Sequence, residues 1–428
     1  MMNRKQFKES LLRGQGRCIL ATQADPERYR DVVLWACGQE LAFDSQSDGT
    51  RSWFIYRLIC CYPDKKPFLD AIIQSFDRAK PDRGWKLICL AERLKYFSDK
   101  GETAAEQALW RKYEALYAQL LARKSLSGGL FPLRDNFSML CDILAEDLDA
   151  HIRIVEDLGR LFREKSLYDG FDFIWLYHNG HSGALKKLAG KSENIAAYLR
   201  EGERYRQKQA AGDHTPRIPQ RGPALSLWLA QNGSEEMLAD YAGKYLNQTD
   251  PDRRAEALAA FSRCPYPGDP SPIIRDTDSD NAALREAAWY ALENIRHPLV
   301  REFALQNLDS DMTDVLPVFI RNVRDEDAAL LEGLVKQIPV GPDDESGWHR
   351  IYIHVLNMAK KGLKAPPGLL THIYEHSYCS YCRNRALRQL GKRRLLTEEM
   401  LQECLFDSNE EIRRYAAQRL KRRAENTP

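Results

Sequence analysis

The residues best suited to chemistry stand close together near the end of the chain. His372, His376, Cys379 and Cys382 have the spacing His-x3-His-x2-Cys-x2-Cys. Imidazole and thiolate are the donors that structural zinc takes in tetrahedral sites. The pattern therefore indicates a compact two-histidine, two-cysteine zinc site. In the alternative interpretation both thiols are small apolar packing groups without a ligand, since Cys382 also occupies an apolar position of a repeated pattern.

Part of the same stretch allows a second interpretation. His372, Glu375 and His376 have the spacing His-x-x-Glu-His, which on a helix places both histidines on one face. Two such histidines could hold a catalytic zinc ion while the glutamate polarises water, as in a zinc-dependent hydrolase. No partner motif supplies an obvious third ligand, so we expect no catalysis. Redox chemistry at Cys379 and Cys382 is also not expected, because no predicted strand precedes them.

Other polar groups are weaker candidates. His178 and His181 flank a glycine in a segment typical of a surface turn. The sequence has no glycine-rich phosphate loop and no Gly-x-Ser-x-Gly elbow. A group of carboxylates is predicted to form the solvated face of an amphipathic helix; it comprises Asp142, Glu146, Asp147 and Asp149.

The composition of the chain gives no support to a nucleic-acid-binding, membrane or secreted protein. The 63 basic and 61 acidic residues give a net charge of +2, which offers no general argument for nucleic acid. No run approaches the roughly 20 apolar residues of a membrane span, and the basic start lacks the apolar core of a secretory signal. Most of the ten cysteines lie in apolar helical patterns, as free thiols do in a reducing compartment. We expect a cytoplasmic protein with no membrane partner.

A short pattern recurs in the second half of the chain and predicts the helices that position the candidate histidines and cysteines. The pattern is apolar-Arg-x-x-Ala-x-x-x-Leu. Its apolar, alanine and leucine positions fall on one helix face, with a drift of about 40° per step. The central alanine lets a neighbouring helix approach closely, and the arginine at the stripe's edge can pair with acidic groups of an adjacent unit. The copies are Leu284-Arg285…Ala288…Leu292, Val300-Arg301…Ala304…Leu308, Cys382-Arg383…Ala386…Leu390 and Ile412-Arg413…Ala416…Leu420, preceded by the looser Arg253-Arg254…Ala257…Phe261.

Neighbouring copies begin about 30 residues apart, an interval typical of stacked helical units that bury each other's apolar faces. The pattern resembles the HEAT-repeat family, particularly its short bacterial form, in which an aspartate opens the second helix. Asp278 and Asp407 stand at that place. The resemblance covers roughly 250–308 and 378–420, and it implies an all-α solenoid of antiparallel helix pairs, a HEAT-like superhelix. The alternative is an ordinary helical bundle. The pattern arginines become candidate interaction residues: Arg254, Arg285, Arg301, Arg383 and Arg413.

The first half of the chain has helical periodicity without this pattern. Residues 207–223 are polar and contain three prolines and two glycines, a composition typical of a linker. We therefore predict a helical domain at 1–206, a linker or exposed loop at 207–223, and a HEAT-like repeat domain at 224–428. One continuous solenoid with a long inter-helix loop is the alternative.

The predicted function follows from this architecture. Stacked units present an extended groove that needs no chemistry of its own, so we expect a non-catalytic scaffold or adaptor that binds a protein partner. No cofactor is expected apart from the structural zinc considered above. The first alternative is a nucleic-acid-binding solenoid similar to HEAT-like DNA glycosylases, since twelve Lys or Arg stand against seven Asp or Glu from Tyr378 onward. Those arginines could equally form inter-repeat ion pairs.

Overall fold

The computed structural model describes residues 2–44, 48–81, 85–123, 131–165, 182–211, 219, 222–308, 312–344, 347–360 and 365–425. Every regular element in these ranges is a helix, which confirms the predicted all-α class. No helix in the described ranges is both long and apolar enough to cross a membrane.

The α-helices of the described ranges have the following bounds. In chain order they are α1 (Arg4–Arg13), α2 (Arg17–Ala24), α3 (Pro26–Cys37), α4 (Ser52–Ile59), α5 (Lys66–Arg78), α6 (Lys86–Ser98), α7 (Thr103–Leu121), α8 (Phe131–Leu144), α9 (Leu148–Glu164), α10 (Ser182–Ala189), α11 (Glu193–Ala211), α12 (Gly222–Asn232), α13 (Glu235–Leu246), α14 (Pro251–Leu258), α15 (Ser271–Asp276), α16 (Ala282–Leu292), α17 (Pro298–Gln306), α18 (Met312–Asn322), α19 (Ala328–Gln337), α20 (Trp348–Lys360), α21 (Pro367–His376), α22 (Ser380–Lys392), α23 (Glu398–Cys404) and α24 (Glu410–Glu425).

The chain divides into two compact units. The first contains Met1–His214 together with Glu398–Pro428, and the second contains Thr215–Thr397. The predicted linker at 207–223 is only partly described: 207–211 end α11, 222 and 223 begin α12, and 212–218, 220 and 221 lie outside the described residues. The sequence prediction assigned residues 398–428 to the repeat domain, whereas in the structure the described part of this segment, 398–425, groups with the first unit.

Helices of the second unit form two layers. One layer runs through α14, α16, α18, α20 and α22, each of which contacts the next. In the other layer α15 contacts α17, and α19 contacts α21. Across the layers α15 packs on α16, α17 on α18, and α21 on α22. Helix contacts therefore join near neighbours in the chain, as they do in stacked helix pairs.

Local sequence signals explain where these helices begin and which face they bury. The Asp250 carboxylate accepts the backbone N–H of Arg253 at 3.0 Å, and Pro251 is the first helical residue, so α14 begins where a capping side chain and a proline favour a helix start. The pattern alanines Ala288, Ala304 and Ala386 are fully buried. In each of these helices the alanine lies at the centre of the buried row of apolar residues. Because alanine is small, a neighbouring helix can come closest there.

The first unit has its own core, formed by α1 to α11, with the strongest contacts again between a helix and the next or next but one. Residues 398–428 join this unit at the α1–α2 turn. Ser408 donates its backbone N–H to the Gly14 carbonyl at 2.8 Å, and Arg17 pairs with Glu403 at 2.9 Å. These two bonds attach the segment that contains Glu403 and Ser408 to the α1–α2 turn.

Gly16 marks the closest approach in this contact. It has φ −61° and ψ −21°, a conformation open to any residue, so its need for glycine is steric. An added Cβ would lie 2.0 Å from the carbonyl oxygen of Glu403 and 2.9 Å from the carbonyl carbon of Phe406. Both are backbone atoms, which cannot rotate away as a flexible side chain would.

We expect Gly16→Ala to lower the free energy of unfolding by about 2–3 kcal/mol, because the methyl group overpacks a rigid backbone contact. Thermal unfolding followed by circular dichroism measures the loss, and limited proteolysis shows earlier release of residues 398–428. Gly183→Ala is the matched control, since an added Cβ there meets no atom within 4 Å. If the Gly16→Ala protein is as stable as the control, close contact of Gly16 with the backbone of residues 403–406 does not stabilise the first unit.

Candidate functional site

Cys379 and Cys382 lie in one turn at the start of α22. Cys379 is the N-cap residue, with extended backbone at φ −76° and ψ 118°, and Cys382 is the third helical residue. Ser377, which is itself buried, donates its hydroxyl to the Cys379 carbonyl at 3.0 Å and fixes the approach to the helix. Both cysteines are buried, with exposed fractions of 2% and 0%. The Cys-x-x-Cys spacing thus becomes two neighbouring thiols beneath the surface of the second unit.

The third member of this cluster is His349, which sequence reasoning missed. One donor atom from each of His349, Cys379 and Cys382 lies within 4.8 Å of the other two. His349 reaches the thiols because it begins α20, which packs against α22. Its backbone N–H donates to Asp344 Oδ1 at 2.9 Å, which holds the start of α20 in place. No spacing rule links residues so far apart in sequence, so only the packing of α20 on α22 identifies this histidine.

Two aromatic side chains, Trp348 and Tyr378, lie next to the cluster residues. Trp348 is fully buried, and its ring lies 5.5 Å from that of His349 and 6.3 Å from that of Tyr378. The Trp348 indole donates Nε1–H to the Asp343 carbonyl at 2.9 Å. The hydrogen bond and the burial of Trp348 hold the first residue of α20 in place beside His349. His349 itself is half-buried, so the cluster has one side near the surface.

His372 and His376 lie outside the group that contains Cys379 and Cys382. They share one face of α21, as the helical spacing requires, with ring centroids 4.4 Å apart. His372 packs edge-on against Tyr352, 6.1 Å between centroids. Within the described residues, however, the one group of three metal-binding side chains contains neither of them. The structure therefore combines the predicted cysteines with His349 and leaves the predicted histidines outside the cluster.

The pattern arginines make contacts within their own unit. Arg254 bonds to Asp276 through Nε at 2.8 Å and to the Tyr245 hydroxyl at 3.0 Å. Arg301 donates Nη2 to both oxygens of Asp327, at 2.8 and 2.9 Å. Arg254 thus joins α14 to the end of α15, and Arg301 joins α17 to the turn before α19.

The other three pattern arginines differ from one another. Arg285 is exposed and donates to the Ser279 carbonyl at 2.6 Å. Arg383 is fully buried beside the cysteines. Arg413 lies in the first unit, where it donates to the carbonyls of Asp407 and Ser408 and stacks 3.7 Å from the centroid of Trp53. Of the predicted interaction residues, Arg285 is therefore the exposed one, and the rest contribute contacts to the fold.

A second polar feature crosses the layer formed by α16, α18, α20 and α22. Arg350 stacks 4.3 Å from the centroid of Tyr290, and Arg385 lies 5.4 Å from that of Tyr381 while donating to Asn357 Oδ1 at 2.7 Å. Both tyrosines are exposed, at 36% and 52%. We call this surface the tyrosine–arginine face and define it by Tyr290, Arg321, Arg350, Asn357, Tyr381 and Arg385.

Beneath this face lies a buried carboxylate. Glu293 has a side chain only 6% exposed, pairs with Arg350, and lies 3.1 Å from His354 Nε2. Burial first, and then the charges of Arg350 and Arg321, lower the pKa of His354 to about 4. The imidazole is therefore uncharged at neutral pH and can donate Nε2–H to Glu293. This network fixes the orientation of Arg350 and, through it, the stack on Tyr290.

The remaining candidates carry little chemistry. His178 and His181 lie outside the described residues. Asp147 caps α9 by accepting the Ala150 N–H at 2.9 Å, whereas burial raises the pKa of Asp142 to about 6. Asp142 is thus half-buried, while Glu146, Asp147 and Asp149 are exposed as the amphipathic pattern predicts.

The comparisons with known proteins add no family to these observations. No protein-family model matches the chain, and none of the curated proteins is significantly similar to it in sequence. Function must therefore be argued from the sites themselves.

We expect Arg301→Met to lower the free energy of unfolding by about 2 kcal/mol, because Asp327 is left as a nearly buried carboxylate without its cation. The matched variant Arg285→Met removes an exposed bond to a carbonyl and should cost less than about 0.5 kcal/mol. Urea unfolding, followed by circular dichroism, measures both. Equal losses in the two variants would show that the Arg301–Asp327 pair does not stabilise the packing of α17 against the turn before α19.

Proposed function

We propose that this protein is a non-catalytic scaffold of stacked, HEAT-like helix pairs that binds an acidic segment of a protein partner. The layered contacts of the second unit support the stacked architecture, since each helix of the α14–α22 layer packs on its neighbour in that layer. Stacked helix pairs present a continuous surface made of residues from successive helices. Partner binding needs only such a surface and side chains that can contribute binding energy.

The tyrosine–arginine face is the observation that carries this proposal. Tyrosine and arginine are enriched among the residues that dominate protein interfaces, because each combines a large contact area with hydrogen-bonding groups. Here each exposed tyrosine already has an arginine against its ring. The Glu293–His354 network and the Asn357 bond hold Arg350 and Arg385 in place. Preorganised side chains lose less conformational entropy when a partner binds.

Charge favours an acidic partner segment. The α22 end of the face carries Arg385 and Arg388, followed by the exposed Lys392. Arg385 can form bidentate bonds to a carboxylate while its stack on Tyr381 is kept. Toward α16 the surface also carries the carboxylates of Glu286 and of Asp314, which pairs with Arg350 at 3.4 Å, so the excess positive charge is confined to the α22 end and does not extend along the track that a phosphate backbone would need. A protein segment with localised acidic groups fits this mixed surface better than a nucleic acid does.

The test uses the full-length chain as bait in nuclease-treated lysate of its source cell, with quantitative mass spectrometry of the captured proteins. The face variant Tyr381→Ala/Arg385→Ala is compared with Leu299→Ala/Arg275→Ala, a control pair on exposed positions of the opposite layer. We expect the wild type and the control to retain the same partner and the face variant to bind it at least about 30-fold more weakly, since interface hot spots contribute about 2 kcal/mol or more each.

Two outcomes would contradict the proposal. In one, the face variant captures every protein that the wild type captures, at equal yield. In the other, the wild type shifts duplex DNA or single-stranded RNA in a low-salt gel and the face variant does not, which would assign the surface to nucleic acid. Circular dichroism of each variant shows whether the helices remain folded.

A further inference from the structure

We propose that His349, Cys379 and Cys382 bind a zinc ion that fastens α20 to the start of α22. This site is separate from the tyrosine–arginine face and does not depend on partner binding. Two sulfur donors and one imidazole nitrogen select zinc over magnesium or calcium, which take oxygen ligands. Cys-x-x-Cys is a spacing that zinc sites use, because it places both thiols on one side of a single turn.

The donor positions are close to those of a metal site. The three atoms lie within 4.8 Å of one another. Tetrahedral zinc with Zn–S bonds of about 2.3 Å keeps its sulfur ligands about 3.8 Å apart. Contracting each separation by about 1 Å or less, through small side-chain rotations, therefore gives zinc-ligand geometry.

Zinc binds cysteine as the thiolate, so the bound pair would place negative charge at the start of α22. Cys379 is the N-cap residue of α22 and Cys382 lies in its first turn, where the helix dipole stabilises negative charge. The buried Arg383 follows directly in sequence. Binding releases the two thiol protons to solvent and leaves a Cys₂His zinc complex whose net charge is zero. Such a complex is less costly to bury than two separate thiolates.

The ligand set has a structural consequence that sequence spacing alone does not suggest. His349 comes from α20 and the thiols from α22, so the ion would link successive helices of one layer. A site made from His372 and His376 would instead link α21 to its own partner α22. Three protein donors leave the fourth tetrahedral position to water, which can reach the half-buried side of His349.

The first experiment measures the zinc content of the full-length chain, expressed with zinc in the medium and purified under reducing conditions without chelator. Inductively coupled plasma mass spectrometry should give about one zinc per chain for the wild type. Cys379→Ser and His349→Ala should reduce the content at least tenfold. His376→Ala is the matched control and should keep the wild-type content, since His376 lies outside the cluster.

The second experiment keeps the proposal testable if a variant fails to fold. Cobalt(II) is added to reduced, chelator-treated wild-type chain, and the sulfur-to-cobalt charge-transfer band is recorded. The band should appear at one equivalent and disappear when zinc is added. The midpoint of thermal unfolding should also rise when zinc is restored, because the ion binds only the folded chain.

Three results would overturn the inference. Wild-type chain without zinc and without a cobalt band would show that the thiols are unliganded packing groups. A disulfide between Cys379 and Cys382 in the protein kept under reducing conditions, found by mass mapping, would assign the pair to redox chemistry. If the His376→Ala variant lost its zinc while the His349→Ala variant kept it, the ligands would be the histidines of α21 and not His349.

Discussion

The structure depends on helices that cannot bury their apolar stripes alone. Ala288, Ala304 and Ala386 occupy the centres of such stripes, and all three are fully buried in the second unit. An alanine at the centre sets a short distance between helix axes, while the larger residues on either side fill the space around it. The preferred way to bury several such stripes is to stack helices in layers. Each helix is then stable only with its neighbours present.

This layering determines where polar groups meet. Because α20 packs against α22, a histidine at the start of one helix lies beside the cysteine pair at the start of the other. In the same layer, the long side chain of Arg350 on α20 reaches Tyr290 and Glu293 at the end of α16. The tyrosine–arginine face and the thiol–imidazole cluster are thus products of one packing arrangement. Neither is encoded within a single helix.

Sequence reasoning was strongest where interactions are local. The helix start at Asp250–Pro251 follows from a cap and a proline, and the burial of Ala288 and Ala304 follows from helical periodicity. It was weaker for residues brought together from distant positions. His349 has no sequence signal that links it to Cys379. The packing of 398–428 with the first unit was also missed, because the pattern at Ile412 matches that of the second unit and periodicity carries no information about which neighbour a helix will choose.

The central claim is tested most directly by enlarging one stripe alanine. Ala304→Leu adds volume where α17 meets its neighbours, and Ala283→Leu makes the same change at an exposed position of α16. Hydrogen–deuterium exchange read by mass spectrometry should show lost protection in α15, α17 and α18 for Ala304→Leu, with a lower unfolding midpoint. Ala283→Leu should leave both unchanged. If Ala304→Leu retains wild-type protection and stability, the close packing of alanine-centred stripes is not what holds these helices together.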